Sequence, residues 1–206
     1  KLTGFPDGTD VMLYRNGDNI ELAKTKLLKG NFMLNGAVTD PVLCFLIIGN
    51  GNPVELYMEN SKITVSTDKT QAGKYLINGS ASHRDFSDFI NKFLPLAQQL
   101  SSLANSINST MPGPDRDGLM KTYTSTQQAV QKQIDKFVTD KPRSVVAPFV
   151  LSATYQFNED PVMLEKRFNQ LDETVRNMEE GKKLEQLIAT YKIGAVGSQA
   201  LDFTQA

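Results

Sequence analysis

Apolar and polar positions follow two different periods along this chain, and the change falls near residue 80. Before it, apolar residues come in short runs divided by Asp7-Gly8, Asn16-Gly17, Lys29-Gly30-Asn31, Gly49 to Pro53, Glu59-Asn60 and Asn78-Gly79. Glycine and asparagine at this spacing mark hairpin connections, because they accept the backbone angles that tight turns need. The runs "DVMLYR", "NFMLNGAV", "VLCFLII", "VELYME", "KITVST" and "KYLIN" supply six or seven short strands. Alternation places Phe32 with Leu34, and Ile63 with Val65, on one face, whereas "VLCFLII" is apolar on both faces and reads as a central strand. Residues 1–80 are therefore expected to form a small antiparallel β-sandwich or partial barrel.

After Ser80 the period becomes helical. Phe86, Ile90, Phe93, Ala97, Leu100, Ala104 and Ile107 are spaced 4, 3, 4, 3, 4, 3, which sets them along one stripe of a helix. Pro95 lies inside that stripe; an interior proline costs roughly 3 kcal/mol, but burying several large side chains returns roughly 1.5–3 kcal/mol each. One kinked helix is the expected outcome. "TMPGPDRDG" from Thr110 forces a turn, and Met120, Tyr123, Gln127, Val130, Ile134 and Phe137 define a second helix returning antiparallel as a helical hairpin. "PRSVVAPFVLSATYQF" suits a buried third helix with Pro142 in its first turn. Asp160-Pro161 reads as an N-cap followed by the first helical residue, opening a stripe of Leu164, Phe168, Leu171, Val175 and Met178. A last helix is expected after a break at Gly181. The whole is an α+β chain, with an antiparallel β domain over 1–80 and a helical domain of about five helices over 81–193.

Charge narrows the partners. Lys and Arg number 22 against 23 Asp and Glu, and both halves are balanced, so no basic face for tracking nucleic acid is expected. No apolar run approaches the ~20 residues that cross a bilayer, so these residues are not expected to span a membrane. The chain opens on Lys1, without Met and already in strand-like sequence, which is read as the trace of a removed leader or anchor. Heptad-like spacing also allows a homodimer through the first helical hairpin, beside the reading of core packing within the chain.

Reactive chemistry is sparse. Cys44 is the one cysteine and sits within "LCFLII", where it reads as a small core hydrophobe. His83 is the one histidine; without a second ligand or a neighbouring nucleophile it reads as a solvated or helix-start residue. "GNGNP" lacks the third glycine and the following helix of a phosphate cradle, and "DRDG" from Asp115 lacks the acids a calcium loop needs at its ends. The adjacent acids Asp172-Glu173 and Glu179-Glu180 diverge on a helix and read as solvated faces. Tyr14, Tyr57 and Tyr75 offer an aromatic platform for a glycan or peptide, beside a packing role. No catalytic, cofactor-binding or metal-binding residue is assigned.

Four segments, "DGTDVMLYRNG", "KGNFMLNGAV", "YMENSKITVSTD" and "LINGSASHRDFSDF", together with the closing "VGSQALDFTQA", carry a resemblance. In this order they resemble the amino-terminal domain of unknown function, and the helical segment after it, of envelope thioredoxin-like proteins of the TlpA/ResA type in Gram-negative bacteria. The closing stretch is similar to the lead-in Val-Gly-x-x-Ala-Pro-Asp-Phe of their redox domain, with Val196, Gly197, Ala200, Asp202 and Phe203 in place and Leu201 where the proline stands. The resemblance implies that 194–206 is the start of a thioredoxin-like domain whose Cys-x-x-Cys pair lies further on. It also implies a periplasmic or cell-envelope location, a lipoprotein-type anchor, and a non-catalytic role for these residues in docking a partner or substrate protein or in oligomerisation. A glycan- or peptide-binding module of the envelope stands as the alternative.

Overall fold

The computed structural model describes residues 1–18, 20–71 and 73–193. Among the described residues seven strands precede six helices, an α+β order, and the chain divides into two compact units at Ser87 and Asp88.

The first unit holds two sheets. β1 (Leu2–Thr3), β6 (Thr64–Asp68) and β7 (Leu76–Asn78) form one, in the order β1-β6-β7; β2 (Asp10–Arg15), β3 (Glu21–Lys26), β4 (Val42–Ile48) and β5 (Val54–Met58) form the other, in the order β3-β2-β4-β5. All pairings are antiparallel except β1 with β6, which runs parallel through Leu2↔Thr67 and Thr3↔Asp68. The core draws on both sheets: Leu2 and Val65 from the small one join Val11, Leu13, Cys44, Leu46, Ile48, Val54 and Leu56 from the larger. β4 is an inner strand, as its two-sided apolarity implies. Its Cys44, Leu46 and Ile48 enter this core, while Leu43, paired with Tyr57 of β5, is buried on the opposite face.

Two strand expectations change. "NFMLNGAV" pairs only through an isolated bridge between Leu28 and Asn31, and its remaining residues join no ladder. Its alternation still reports burial, since Phe32 and Leu34 pack on the core while Met33 is exposed. The edge strand β3, "ELAKTK", takes its place in the sheet; with one face to solvent its polar residues mask the strand pattern.

α1 (Ala81–Ser109) is continuous through Pro95. In the second unit Phe89 stacks on Phe93 at 5.0 Å between ring centres and meets Phe137 of α2 (Pro114–Asp140) edge-on at 5.1 Å. That contact joins the start of α1 to the end of α2, so the hairpin is antiparallel. Phe89 takes the buried position expected of Ile90, and Met120 is exposed, because α2 turns Thr126, Val130, Ile134, Phe137 and Val138 inward instead.

α3 (Ala147–Thr154) begins later than expected: Pro142 lies in a preceding turn, and Pro148 occupies the first turn of the helix. A 3₁₀ turn, Tyr155–Phe157, follows. Asp160 caps α4 (Pro161–Phe168), its carboxylate accepting from the amides of Val162 and Met163 at 2.9 and 3.0 Å. The apolar stripe from Leu164 to Met178 is not one helix: Leu164 and Phe168 lie on α4 and Val175 on a second, short helix, while Leu171 and Met178 fall in the connections. The chain breaks after Phe168, and Asp172 caps the short α5 (Glu173–Arg176) by accepting from Thr174. Gly181 lies inside α6 (Glu179–Ile193) instead of ahead of it, against the carbonyls of Val175 and Arg176, where a larger residue has no room.

Candidate functional site

The buried polar residues Ser80, Ser82 and His83 gather where β5 meets the start of α1. Ser80 is the helix cap: its hydroxyl accepts from the His83 amide at 2.8 Å and donates to the Tyr57 carbonyl at 2.9 Å. Glu59, just after β5, places its carboxylate over the same helix end. It accepts from the amides of Ala81 (2.7 Å) and Ser82 (3.1 Å), from the Ser82 hydroxyl, and from the Ser61 hydroxyl at 3.4 Å. An anion there satisfies amides that have no partner within the helix and meets the positive end of its dipole. Burial pushes the Glu59 carboxyl up, but these hydrogen bonds outweigh it and hold it below the usual carboxylate range.

Glu59→Ala should therefore lower unfolding stability by about 1 kcal/mol in urea titration. Because the folded carboxyl ionises at lower pH than the unfolded one, its stabilisation is complete above the unfolded value of 4.5 and is lost as pH falls through the folded value. Glu59→Gln should flatten that acid limb.

His83 sits inside this cluster, buried and not solvated. Its Nδ1 accepts the Tyr57 amide at 3.4 Å, and its Nε2 lies 3.1 Å from the Ser87 hydroxyl. A backbone amide can only donate, so Nδ1 is the acceptor and the neutral ring carries its proton on Nε2. Nε2 therefore donates to Ser87 and cannot take its proton. The pair resembles a nucleophile and base in spacing, but it has the wrong tautomer for that chemistry.

Burial holds the His83 pKa below its ordinary 6.5. The unfolded chain thus binds a proton first, and stability declines as pH drops from 6.5 toward the folded pKa. With one histidine in the chain, denaturation midpoints at about pH 7.5 and 5.5, on either side of the ordinary value, should show this loss. His83→Gln should remove it, and the imidazole resonances should titrate below 6.5.

Cys44 is buried, and burial pushes its thiol up to about 11; a thiol in that state is a poor nucleophile at neutral pH. The tyrosines do not form one surface. Tyr57 is 1% exposed and packs against Phe86 at 6.0 Å between ring centres. Tyr14 lies on β2 and donates to the Glu21 carboxylate at 3.1 Å, and Tyr75 precedes β7 in the other sheet. "GNGNP" is the β4–β5 turn, and "DRDG" lies in the first turns of α2. The acids Glu179 and Glu180 both pair with Lys183, at 2.8 and 2.9 Å. Among the described residues no group of three or more His, Cys, Asp or Glu could hold a metal ion, and no helix is long and apolar enough to cross a membrane. The closing "VGSQALDFTQA" lies outside the described residues.

Sequence reasoning reached His83 at the helix start but not its partners. Ser80 was marked in the sequence only as the point where the period changes, although a serine immediately before a helical stripe is the signal of a cap; Glu59 and Tyr57 come from another element and left no local trace.

Residues 1–86 match a family described as a domain of unknown function, DUF4369. No curated protein and no solved structure matches the chain.

Proposed function

We propose that this chain is the non-catalytic part of a thioredoxin-like thiol-disulfide oxidoreductase of the bacterial envelope, of the TlpA/ResA type, and that it docks the redox domain onto a partner or substrate protein. The reading rests on the resemblance of its strand segments and closing stretch to such proteins, and the match of residues 1–86 to a domain of unknown function is compatible with it. The observation that carries the non-catalytic part is the use already made of the two reactive side chains: His83 is committed through Nδ1 to the Tyr57 amide, and Cys44 is a core thiol. Catalysis then falls to a Cys-x-x-Cys pair carried elsewhere in the protein.

Two measurements test the reading. In an insulin-reduction assay this chain should show no turnover, and activity that survives Cys44→Ser would overturn the assignment. The coding sequence after Ala206 should specify a Trp-Cys-x-x-Cys; a stop codon in its place removes the redox reading.

A further inference from the structure

β5 is an edge strand of the four-stranded sheet, with β4 on one side only. The Tyr57 amide and carbonyl point out of that edge, where a strand without a neighbour leaves both groups open. The first turn of α1 closes the edge with two side chains. Ser80 donates to the Tyr57 carbonyl at 2.9 Å and His83 Nδ1 accepts the Tyr57 amide at 3.4 Å, so the pair stands where the backbone of another strand would. The His83 amide donates to the Ser80 hydroxyl at 2.8 Å and completes a cycle of bonds from His83 to Ser80 to Tyr57 and back to His83. Each bond orients the next.

One proton breaks this cycle. Nδ1 receives the Tyr57 amide only while it carries no hydrogen, and a charged imidazole sets donor against donor there. Its Nε2 donates to Ser87 in either state. Among the described residues no carboxylate bonds to the imidazole, whose partners are the Tyr57 amide and the Ser87 hydroxyl. Glu59 faces the same turn but is bonded to the amides of Ala81 and Ser82, and Glu55 is exposed two residues before Tyr57 on β5. β4 meets Tyr57 with Leu43, which does not titrate. On α1 itself Arg84, Asp85 and Asp88 leave the helix about 100° or more round from His83. A charged His83 is therefore stable only outside this site.

The part that has to move is bounded. Ahead of it, the Gly79 carbonyl is held by the Ser61 hydroxyl at 2.8 Å, and Asn78 by its pairing with Thr64. Neither Tyr57, Ser80 nor His83 belongs to the apolar core of the first unit, which Leu2, Val11, Leu13, Leu46 and their neighbours build from both sheets. The turn can swing away while that packing persists.

We infer that the first turn of α1 is an acid-released latch on the outer edge of β5: protonation of His83 frees the turn and uncovers the edge while both sheets stay folded. Burial favours the neutral imidazole and keeps the latch shut at neutral pH. The Glu59 anchor titrates later, below 4.5, so His83 releases first. The latch goes beyond the docking reading and holds whether or not the protein carries a redox domain.

Amide exchange followed by NMR tests it, each rate divided by its intrinsic value at the same pH. Protection at the Tyr57 amide should fall about fivefold between pH 7.5 and 5.5, the range over which an exposed imidazole charges. At pH 5.5, urea below the unfolding transition should speed the amides of Cys44 and Leu46, which pair with Leu56 and Val54, and leave the Tyr57 rate unchanged. A turn that swings off exposes little surface, whereas unfolding exposes much. His83→Asn puts a carbonyl oxygen near the Nδ1 position and cannot charge, so its Tyr57 protection should be the same at both pH values. Glu59→Gln should leave the parent's response in place, since that carboxyl stays ionised over this range. Equal Tyr57 protection at both pH values, a Tyr57 rate as sensitive to urea as those of Cys44 and Leu46, or a pH response that survives His83→Asn overturns the inference. The first two outcomes are read on the parent chain and decide the matter even where the variant does not fold.

Discussion

Gly79→Ala should lower the stability of the β-rich unit by about 3 kcal/mol or more, the scale of a backbone collision that cannot relax. Gly79 follows β7 directly, with φ at 95°, in the left-handed region where a side chain is strained. A Cβ at this position would run into the carbonyl oxygen of Lys62 and lie 3.3 Å from Cα of Ile63. Both are backbone atoms, so no rotamer change makes room. Pairing of Thr64 with Asn78 and the hydrogen bond from the Ser61 hydroxyl to the Gly79 carbonyl, at 2.8 Å, fix that approach from both sides. At about 4–8 °C per kcal/mol for a unit of this size, the melting midpoint should fall by more than about 10 °C. Gly118→Ala is the control, since Gly118 lies inside α2 and a methyl group there would meet nothing within 4 Å. It should raise stability by roughly 0.5–1 kcal/mol, the helix preference for alanine. A Gly79→Ala midpoint within about 2 °C (about 0.5 kcal/mol or less) of the parent would show that the β6–β7 pairing yields at little cost.

How much of this was legible before the structure depends on how local each feature is. The central position of β4 followed from "VLCFLII", because a strand apolar on both faces needs cover on both. The Asp160 cap and the long α1 stripe were also local, and both are present. Features that depend on distant chain were not. β1 pairs parallel with β6 from the other end of the unit's sequence, Leu2 meeting Thr67, and no turn or spacing announces a parallel partner. Phe32 and Leu34 alternate as strand residues do, yet periodicity reports which side chains are buried and not whether the backbone finds a ladder. The stripe from Leu164 to Val175 likewise predicted burial correctly and continuity wrongly, since a capped turn at Asp172 returns the chain to the same core face. At the helix start the change of period at Ser80 was readable, while the tautomer of His83 depends on the amide of Tyr57, 26 positions away.

The same distinction governs the second large effect. Arg167, on α4, is a charged residue whose side chain is only 6% exposed, a state with no sign in the helical pattern around it. Its Nε donates to the Asp135 carboxylate at 2.8 Å and its Nη2 to the Gln131 carbonyl oxygen at 2.9 Å, both on α2; Gln131 in turn donates to the Phe157 carbonyl at 3.2 Å. Removing Asp135 leaves a guanidinium facing the core without its counter-charge. Breaking a fully buried pair costs about 3–5 kcal/mol; here Asp135 is 54% exposed, so water reaches that side and the cost should be nearer about 2 kcal/mol. Replacing both groups, as Asp135→Ala with Arg167→Met, removes the stranded charge while keeping most of the buried stem. The double variant should thus be more stable than Asp135→Ala alone, an inverted order that simple loss of contacts would not produce. Urea midpoints for the two single variants and the double close this cycle. If the double variant is the weakest of the three, Arg167 contributes through its hydrocarbon packing, and its ion pair is incidental to the helical core.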